Sequence, residues 1–490
     1  MNPASAYTSR RSFLRSAAGL GGLLAAGALA SACGSAAPTP SPKPAAAPTA
    51  APAPAAKPIE ASKPAATKPI EAPKPAAVAT KPAAATPASA QPAAGAKAAE
   101  LSWIWTSNTA EEQQFWESQA EFFRKKYPNI TVKPQFLGGG EIYDKIQTLA
   151  AGGAAPDIIF WQGFRVQAWA ARKIGRSLEP YIKADKFDLE DFDPEIWKMM
   201  SYKGENYGLP YDFGAVMAIY NREMFQKAGA KPPSADWTRD DFLESMKKIT
   251  KEGEQWGFVQ SPDFFWGLVP FLWSNGATYM NDDATQMTFD APETTEVIQW
   301  YADLRLKHKV APSVEAGATA WRDAFYTGKV GMYIDGPWQA LTLRSRAKFD
   351  WDFGLIPKGK SGRTSWIAGS GYALSASSKV ADQGWLFAKE MTSKENLAAL
   401  AKAGRGFPAR KSAMQSYLDV KPPANPQVSV DSLKEAKYLR THTVWQEMNN
   451  LLNKQLDKVY LGQAQAASAM KEIKPQIDDL MKKHLQLVQS

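Results

Sequence analysis

Between residues 101 and 161 the hydrophobic pattern switches repeatedly between strand and helix periods, and this alternation constrains the fold more than any other feature. Residues 101–105 read as a strand. Thr109 and Glu112 then have the spacing of a capping box, opening a helix on which Trp116, Ala120, Phe123 and Tyr127 share one face. Pro128 stops that helix, and residues 130–136 alternate as a second strand. Gly138-Gly139-Gly140 leads into a second helix with Ile142, Ile146 and Leu149 inward. Residues 157–161, Asp-Ile-Ile-Phe-Trp, form a third strand of the fully buried parallel type. Strand, helix, strand, helix, strand predicts a parallel sheet covered by helices.

A second alternating region starts near Tyr211. It predicts strands at 215–220, 256–260 and 329–335, a helix opened by Thr238 and Asp241, and a long helix capped by Asp290 with Pro292 and Glu293 in its first turn. The last strand ends at Gly336-Pro337-Trp338, and the C-terminal stretch reads mainly as helix. No repeat, heptad array or second linker interrupts residues 101–490, so two α/β lobes is the natural count.

Upstream the chemistry is different. Of the 67 residues 34–100, 42 are alanine or proline, none is aromatic, and Ile59, Ile70 and Val78 are the only aliphatics larger than alanine. Such a segment buries too little apolar area to offset its ordering entropy, so a disordered Ala/Pro/Lys tether is expected. Polyproline II bias gives it a reach of at most about 200 Å. Before it, Arg10, Arg11 and Arg15 precede the apolar run 17–30 and the small residues Ser31 and Ala32, the order of a bacterial export signal. The run of 14 residues is shorter than the ~18 of a membrane-spanning helix. Ser9-Arg10-Arg11-Ser12-Phe13-Leu14 resembles the twin-arginine consensus, and Leu29-Ala30-Ser31-Ala32-Cys33 resembles a lipobox with Ala30 where a branched apolar residue is usual. The expectation for 1–33 is a twin-arginine lipoprotein signal. Cys33, the only cysteine, would be lipidated and hold the exported chain at the outer face of the cytoplasmic membrane; a free thiol after ordinary cleavage is the alternative.

One cysteine and three histidines exclude a disulfide framework, a Cys/His zinc site and a haem motif, and no metal or cofactor is expected. The net charge of +9 divides as +3 in residues 1–33 and +4 in 34–100, leaving +2 for the rest. Nucleic acid, which needs basic residues clustered on the folded part, is not an expected partner.

Several segments of 101–490 occur in the order of a known family. They are Pro156-Asp157-Ile158-Ile159-Phe160-Trp161; Gly208-Leu209-Pro210-Tyr211 with Ile219-Tyr220-Asn221-Arg222-Glu223-Met224-Phe225; Ala228-Gly229, Pro232-Pro233 and Trp237-Thr238-Arg239-Asp240-Asp241-Phe242; Phe325-Tyr326-Thr327-Gly328-Lys329-Val330-Gly331-Met332 leading to Gly336-Pro337-Trp338; Ser375-Ala376-Ser377-Ser378-Lys379; and Gly406-Phe407-Pro408-Ala409-Arg410. The chain resembles the extracellular solute-binding proteins of ABC importers, in their maltose-binding-like, carbohydrate-binding branch. The resemblance implies an α/β, two-lobed periplasmic-binding-protein-like fold, with a hinge and an interlobe ligand cleft. The chain would cross between lobes more than once, with lobe one at about 101–211 and 366–412 and lobe two at about 212–365 and 413–490.

A pyranose ring offers an apolar C–H face to aromatic rings and hydroxyls to planar polar side chains. By the family's pattern Trp161, Trp338 and Trp445 match cleft positions, and Phe264, Phe265 and Trp266 match an aromatic segment of the second lobe. Each of these rings has a core position as its other fate. Gln162 and Arg165 follow Trp161 where the family places hydroxyl-binding groups, although its usual acidic and basic neighbours are replaced here. Tyr211 and Asp212 stand at the first crossing; Asp212 either accepts hydroxyls or caps a turn, and Asp335 before Gly-Pro-Trp is equally divided. Gly369 and Gly371 either let backbone approach the ligand or form a plain turn.

The implied partners are a carbohydrate or other small polar solute and ABC permease subunits in separate chains, with the protein itself a monomer. Catalysis is not expected. A glycoside hydrolase would need paired carboxylates, for which Asp157, Asp212, Glu223 and Asp335 are available. No Ser/His/Asp motif, HExxH or P-loop is present, and His308, His442 and His484 read as solvated. A glycerol-phosphate ester is the alternative ligand, and it predicts that Arg165, Arg322 or Arg410 lines the cleft.

Overall fold

The computed structural model describes residues 97–313 and 321–489. The signal, Cys33 and nearly all of the tether lie outside the described residues. The first sheet begins with β1 (Ala99–Thr106), β2 (Ile130–Leu137) and β3 (Ile158–Gln162). Two helices, α1 (Ala110–Lys126) and α2 (Glu141–Ala151), connect them. Both β2 and β3 pair with β1 in parallel. On α1 the face of Trp116, Ala120 and Phe123 is buried as its spacing requires. The capping box is only half made. Thr109 accepts from the Glu112 N–H, but the Glu112 carboxylate reaches one residue further, to the Asn108 N–H at 2.8 Å.

Residues 209–221, expected to contribute one strand, contribute two. β4 (Leu209–Ala215) stays in the first sheet, and β5 (Met217–Asn221), one residue later, enters a second. Val216 between them donates its N–H to the Trp366 carbonyl at 2.9 Å. The second sheet has the order β8-β5-β7-β6, from β6 (Trp256–Phe258), β7 (Val330–Asp335) and β8 (Trp351–Gly354). The chain then returns as β9 (Ser365–Leu374), β10 (Phe407–Pro408) and β11 (Ala436–Tyr438). These complete a first sheet of order β10-β4-β9-β3-β1-β2, with β11 beside β9. That sheet is mixed rather than parallel. β9 runs antiparallel to both β3 and β4, because it arrives from the other sheet instead of through a covering helix.

Two hydrophobic clusters back the two sheets. Beneath the first, Trp105 stacks on Tyr372 at 4.3 Å and Trp103 meets Phe387 edge-on at 5.3 Å. Beneath the second lie α3 (Arg239–Ile249), α4 (Pro292–Leu306), α5 (Trp445–Tyr460) and α6 (Ala466–Gln489). Thr238 and Asp241 form the full capping box of α3. Asp290 does not cap α4: its N-cap is Ala291, and Pro292 alone marks the start. His442 and His484, read as solvated, are both buried where α6 closes over the start of α5. Their rings lie 5.4 Å apart, and His442 also packs edge-on against Trp445 at 5.6 Å. Among the described residues, no helix is long and apolar enough to cross a membrane.

Candidate ligand-binding site

A cavity of about 360 Å³ opens between the two sheets, at the lower end of the ~300–1,000 Å³ typical of small-molecule pockets. The first sheet supplies the strand ends: Thr106 as the last residue of β1, Phe160 and Gln162 on β3, Asp212 on β4, and Ala368, Gly369 and Ser370 on β9. The other wall carries Trp266, Trp321, Trp338 and the first turns of α5.

One carboxylate organises that far wall. Asp263 accepts from the Phe265 and Trp266 N–H groups at 2.9 and 3.3 Å, fixing the turn that carries both rings. Its other oxygen accepts from Asn449 and Asn453 at 3.2 and 2.9 Å, and Asn453 in turn accepts the Phe264 N–H at 3.0 Å. Residues 446, 449, 450 and 453 occupy one face of α5, while Met448, Leu452 and Leu456 are buried on the other. The result is a wall of side-chain amides beside a cluster of rings. Trp266 lies 5.7 Å from Trp338 in an edge-to-face arrangement. It is 6.3 Å from Phe164, which comes from the segment after β3.

Among the described residues, three arginines reach the cavity. Arg322 donates to the fully buried Asp335 at 2.6 Å, and its guanidinium lies 4.3 Å over Trp321. Arg405 lies 3.7 Å from Asp212. Burial pushes the Asp212 carboxyl up to about 7, with Arg405 and Ser370 offsetting only part of that cost. The Arg165 guanidinium lies 3.6 Å from the centroid of the Tyr143 ring and donates across the cavity to the Gln446 amide oxygen. Burial holds its pKa below the usual arginine value.

Of the residues expected from sequence, Gln162, Arg165, Asp212, Phe265, Trp266, Trp338, Gly369 and Trp445 line the cavity, and Phe264 does not. Trp161, Tyr211, Asp335 and Gly371 do not, and each has a physical reason. The pleat of β3 turns Phe160 and Gln162 to the cavity, so Trp161 faces the opposite side, against Trp169 at 5.3 Å. The same alternation on β4 presents Asp212 and sends Tyr211 into the core between Trp105, Trp116 and Tyr372. Asp335 is consumed by its bonds to Arg322, Trp338 and Gln339. Gly371 sits at a register shift between β9 and β4, where a Cβ would come 2.9 Å from the Leu209 carbonyl oxygen. Arg410 is also away from the cavity, bonded to the Thr392 carbonyl at 2.7 Å. Of the four carboxylates available to a hydrolase, Asp212 alone lines the cavity; Asp157 is held by Ser102 and Ser378.

Sequence reasoning missed Tyr143, Asp263, Arg405 and the amide face of α5. The amides carried a usable signal, since Gln446, Asn449, Asn450 and Asn453 recur at helical spacing. Asp263 and Arg405 carried none, because their roles depend on contacts between distant segments.

Residues 105–398 match the family described as bacterial extracellular solute-binding protein. A binding protein of Brucella abortus is 23% identical over 401 residues, covering 79% of this chain and 95% of that protein. The maltotriose-binding protein of Pyrococcus abyssi is 23% identical over 296 residues, or 59% of this chain and 62% of that protein. Among solved structures, an ABC substrate-binding protein of Listeria monocytogenes in complex with cycloalternan superposes with a TM-score of 0.74 at 26% identity, covering 79% of this chain and 100% of that one.

Proposed function

The chain belongs to the bacterial extracellular solute-binding protein family, and from that premise we propose that it captures a sugar or short oligosaccharide in this cleft and delivers it to the permease of an ABC importer. The observation that carries the reading is the pairing of surfaces in one cavity of about 360 Å³: the rings of Trp266 and Trp338 stand beside the amides of α5. Aromatic faces cover the C–H side of a pyranose, while amides both donate to and accept from its hydroxyls. The names of the Pyrococcus and Listeria proteins, with maltotriose and cycloalternan, support the same class of ligand.

Capture is an equilibrium event rather than catalysis. The lobe built on β1–β4 and β9 and the lobe built on β5–β8 close on the ligand, which stabilises a form that is rare without it; a shift from rare to dominant takes about 5 kcal/mol of differential binding. The closed monomer then docks on permease and ATPase subunits encoded as separate chains. A lipid on Cys33 and the spacer 34–100 hold the domain at the outer face of the cytoplasmic membrane.

The test is tryptophan fluorescence of the full chain titrated with mono- and oligosaccharides. A saturable shift that Trp338→Ala abolishes supports the reading. Absence of a shift across the panel, after co-purified ligand has been released, rejects carbohydrate as the cargo, and cleavage of any panel member rejects the binder.

A further inference from the structure

Among the described residues, Arg165 is the cavity arginine that no carboxylate pairs. It is 5% exposed. The other two cavity arginines are each paired with a carboxylate of the protein, Arg322 with Asp335 and Arg405 with Asp212. Arg165 forms no ion pair with any described residue. Its partners are the Tyr143 ring below it and the amide oxygen of Gln446, and its Nε is buried with no acceptor. Asp263 is the carboxylate whose field it feels most, but both oxygens of Asp263 are already occupied by two backbone N–H groups and two asparagine amides. A buried guanidinium without a counter-ion is retained only where another gain offsets its desolvation. Its planar fork, already held by the Tyr143 ring and Gln446, is complementary to a carboxylate or a phosphate.

We infer that the solute carries an acidic group, a carboxylate or a phosphate ester on a polyhydroxylated body, and that Arg165 receives it while the amides of α5 take the hydroxyls. The inference rests on the carbohydrate reading and narrows it to an acidic sugar or polyol. Arg165 is then the residue that sets specificity, because it rejects a neutral analogue by leaving its own charge unanswered.

The test measures matched pairs by calorimetry on the full chain at pH 7: glucuronate against glucose, galacturonate against galactose, and glycerol 3-phosphate against glycerol. The expected result is at least a tenfold preference for the acidic member of one pair, weakening as salt is raised. The uronate and phosphate arms identify which acid it is. Arg165→Gln is expected to bring the acidic-to-neutral ratio close to one, and Arg165→Lys, which keeps the charge but loses the fork, to leave it in between. A neutral member that binds as tightly as its acidic partner overturns the inference while the carbohydrate reading stands. A preference that survives in Arg165→Gln, folded by circular dichroism, overturns the assignment to Arg165. If nothing binds in any pair while a neutral oligosaccharide of the fluorescence panel does, this inference falls and the carbohydrate reading stands; if nothing binds in either experiment, both fall.

Discussion

Asp335 accepts the indole N–H of Trp338 at 2.8 Å, so a ring that lines the cleft is aimed by a carboxylate that never reaches it. The same carboxylate accepts from Arg322 at 2.6 Å, from Gln339 at 3.0 Å and from the Gly336 N–H at 2.8 Å. It is a positioning residue for one wall of the cavity. Asp335→Ala leaves Arg322 and the Trp338 indole without their acceptor, and removing one partner of a buried pair costs about 3 kcal/mol. Chemical denaturation is expected to show a loss of that order, together with weaker ligand binding. A variant as stable as the parent would remove Asp335 from this role.

Asp212 gives the cleft a pH dependence whose sign is fixed. Its carboxyl is raised to about 7 in the folded protein by burial, against roughly 3.9 in an unfolded chain. The folded state therefore binds more protons between those values. The stabilisation is fully present below pH ~4 and is lost as pH rises through 7, at up to ~1 kcal/mol per pH unit. Asp212→Asn removes the slope. The check is the difference between parent and variant unfolding free energies from pH 5 to 8: it should grow steadily up to pH 7 and level off above it, whereas a difference independent of pH would contradict the assignment.

His442 works in the opposite direction. Burial first, and then the neighbouring His484 ring, push its pKa down to about 3. The unfolded chain, with histidine near 6.5, binds the extra proton. The contribution is thus complete above pH ~6.5 and is lost progressively as pH falls towards 3. Imidazole resonances of His442 are expected to stay flat between pH 5 and 8 in NMR titrations. A midpoint inside that range would show that the α5–α6 junction admits water.

The first five elements were legible because their hydrophobic period is unambiguous and caps or prolines mark their ends. β4 was not legible: all seven of its residues are buried, and Pro210 and Gly214 weaken any strand pattern. The site shows the same division. Sequence named the right loops and strand ends, but could not fix the phase of the pleat. Ile158–Gln162 is buried along its whole length, so nothing local says whether Trp161 or Gln162 faces the ligand. Once the neighbouring strands set the phase, Trp161 and Tyr211 went to the core, while Gln162 and Asp212 stayed in the cleft. The buried histidines failed for a related reason, since lysines on the outer face of α6 say nothing about its inner one.

Gly214 on β4 lies against Pro337, which follows β7 in the opposite sheet; a Cβ at position 214 would come 2.3 Å from the proline Cγ and 2.6 Å from its Cδ. Neither atom can swing away, because the pyrrolidine ring is rigid. Gly214→Ala should therefore act as a wedge between the lobes instead of as a strain on its own strand. The expected outcome is at least a tenfold loss of affinity for whichever solute binds, with a larger radius of gyration in small-angle scattering when ligand is present. Adding Pro337→Ala removes both clashing atoms. If the wedge is the cause, the double variant recovers most of the affinity, and the two substitutions are strongly non-additive in a double-mutant cycle. Additive losses would mean that the glycine is needed for the sheet itself and that closure is controlled elsewhere.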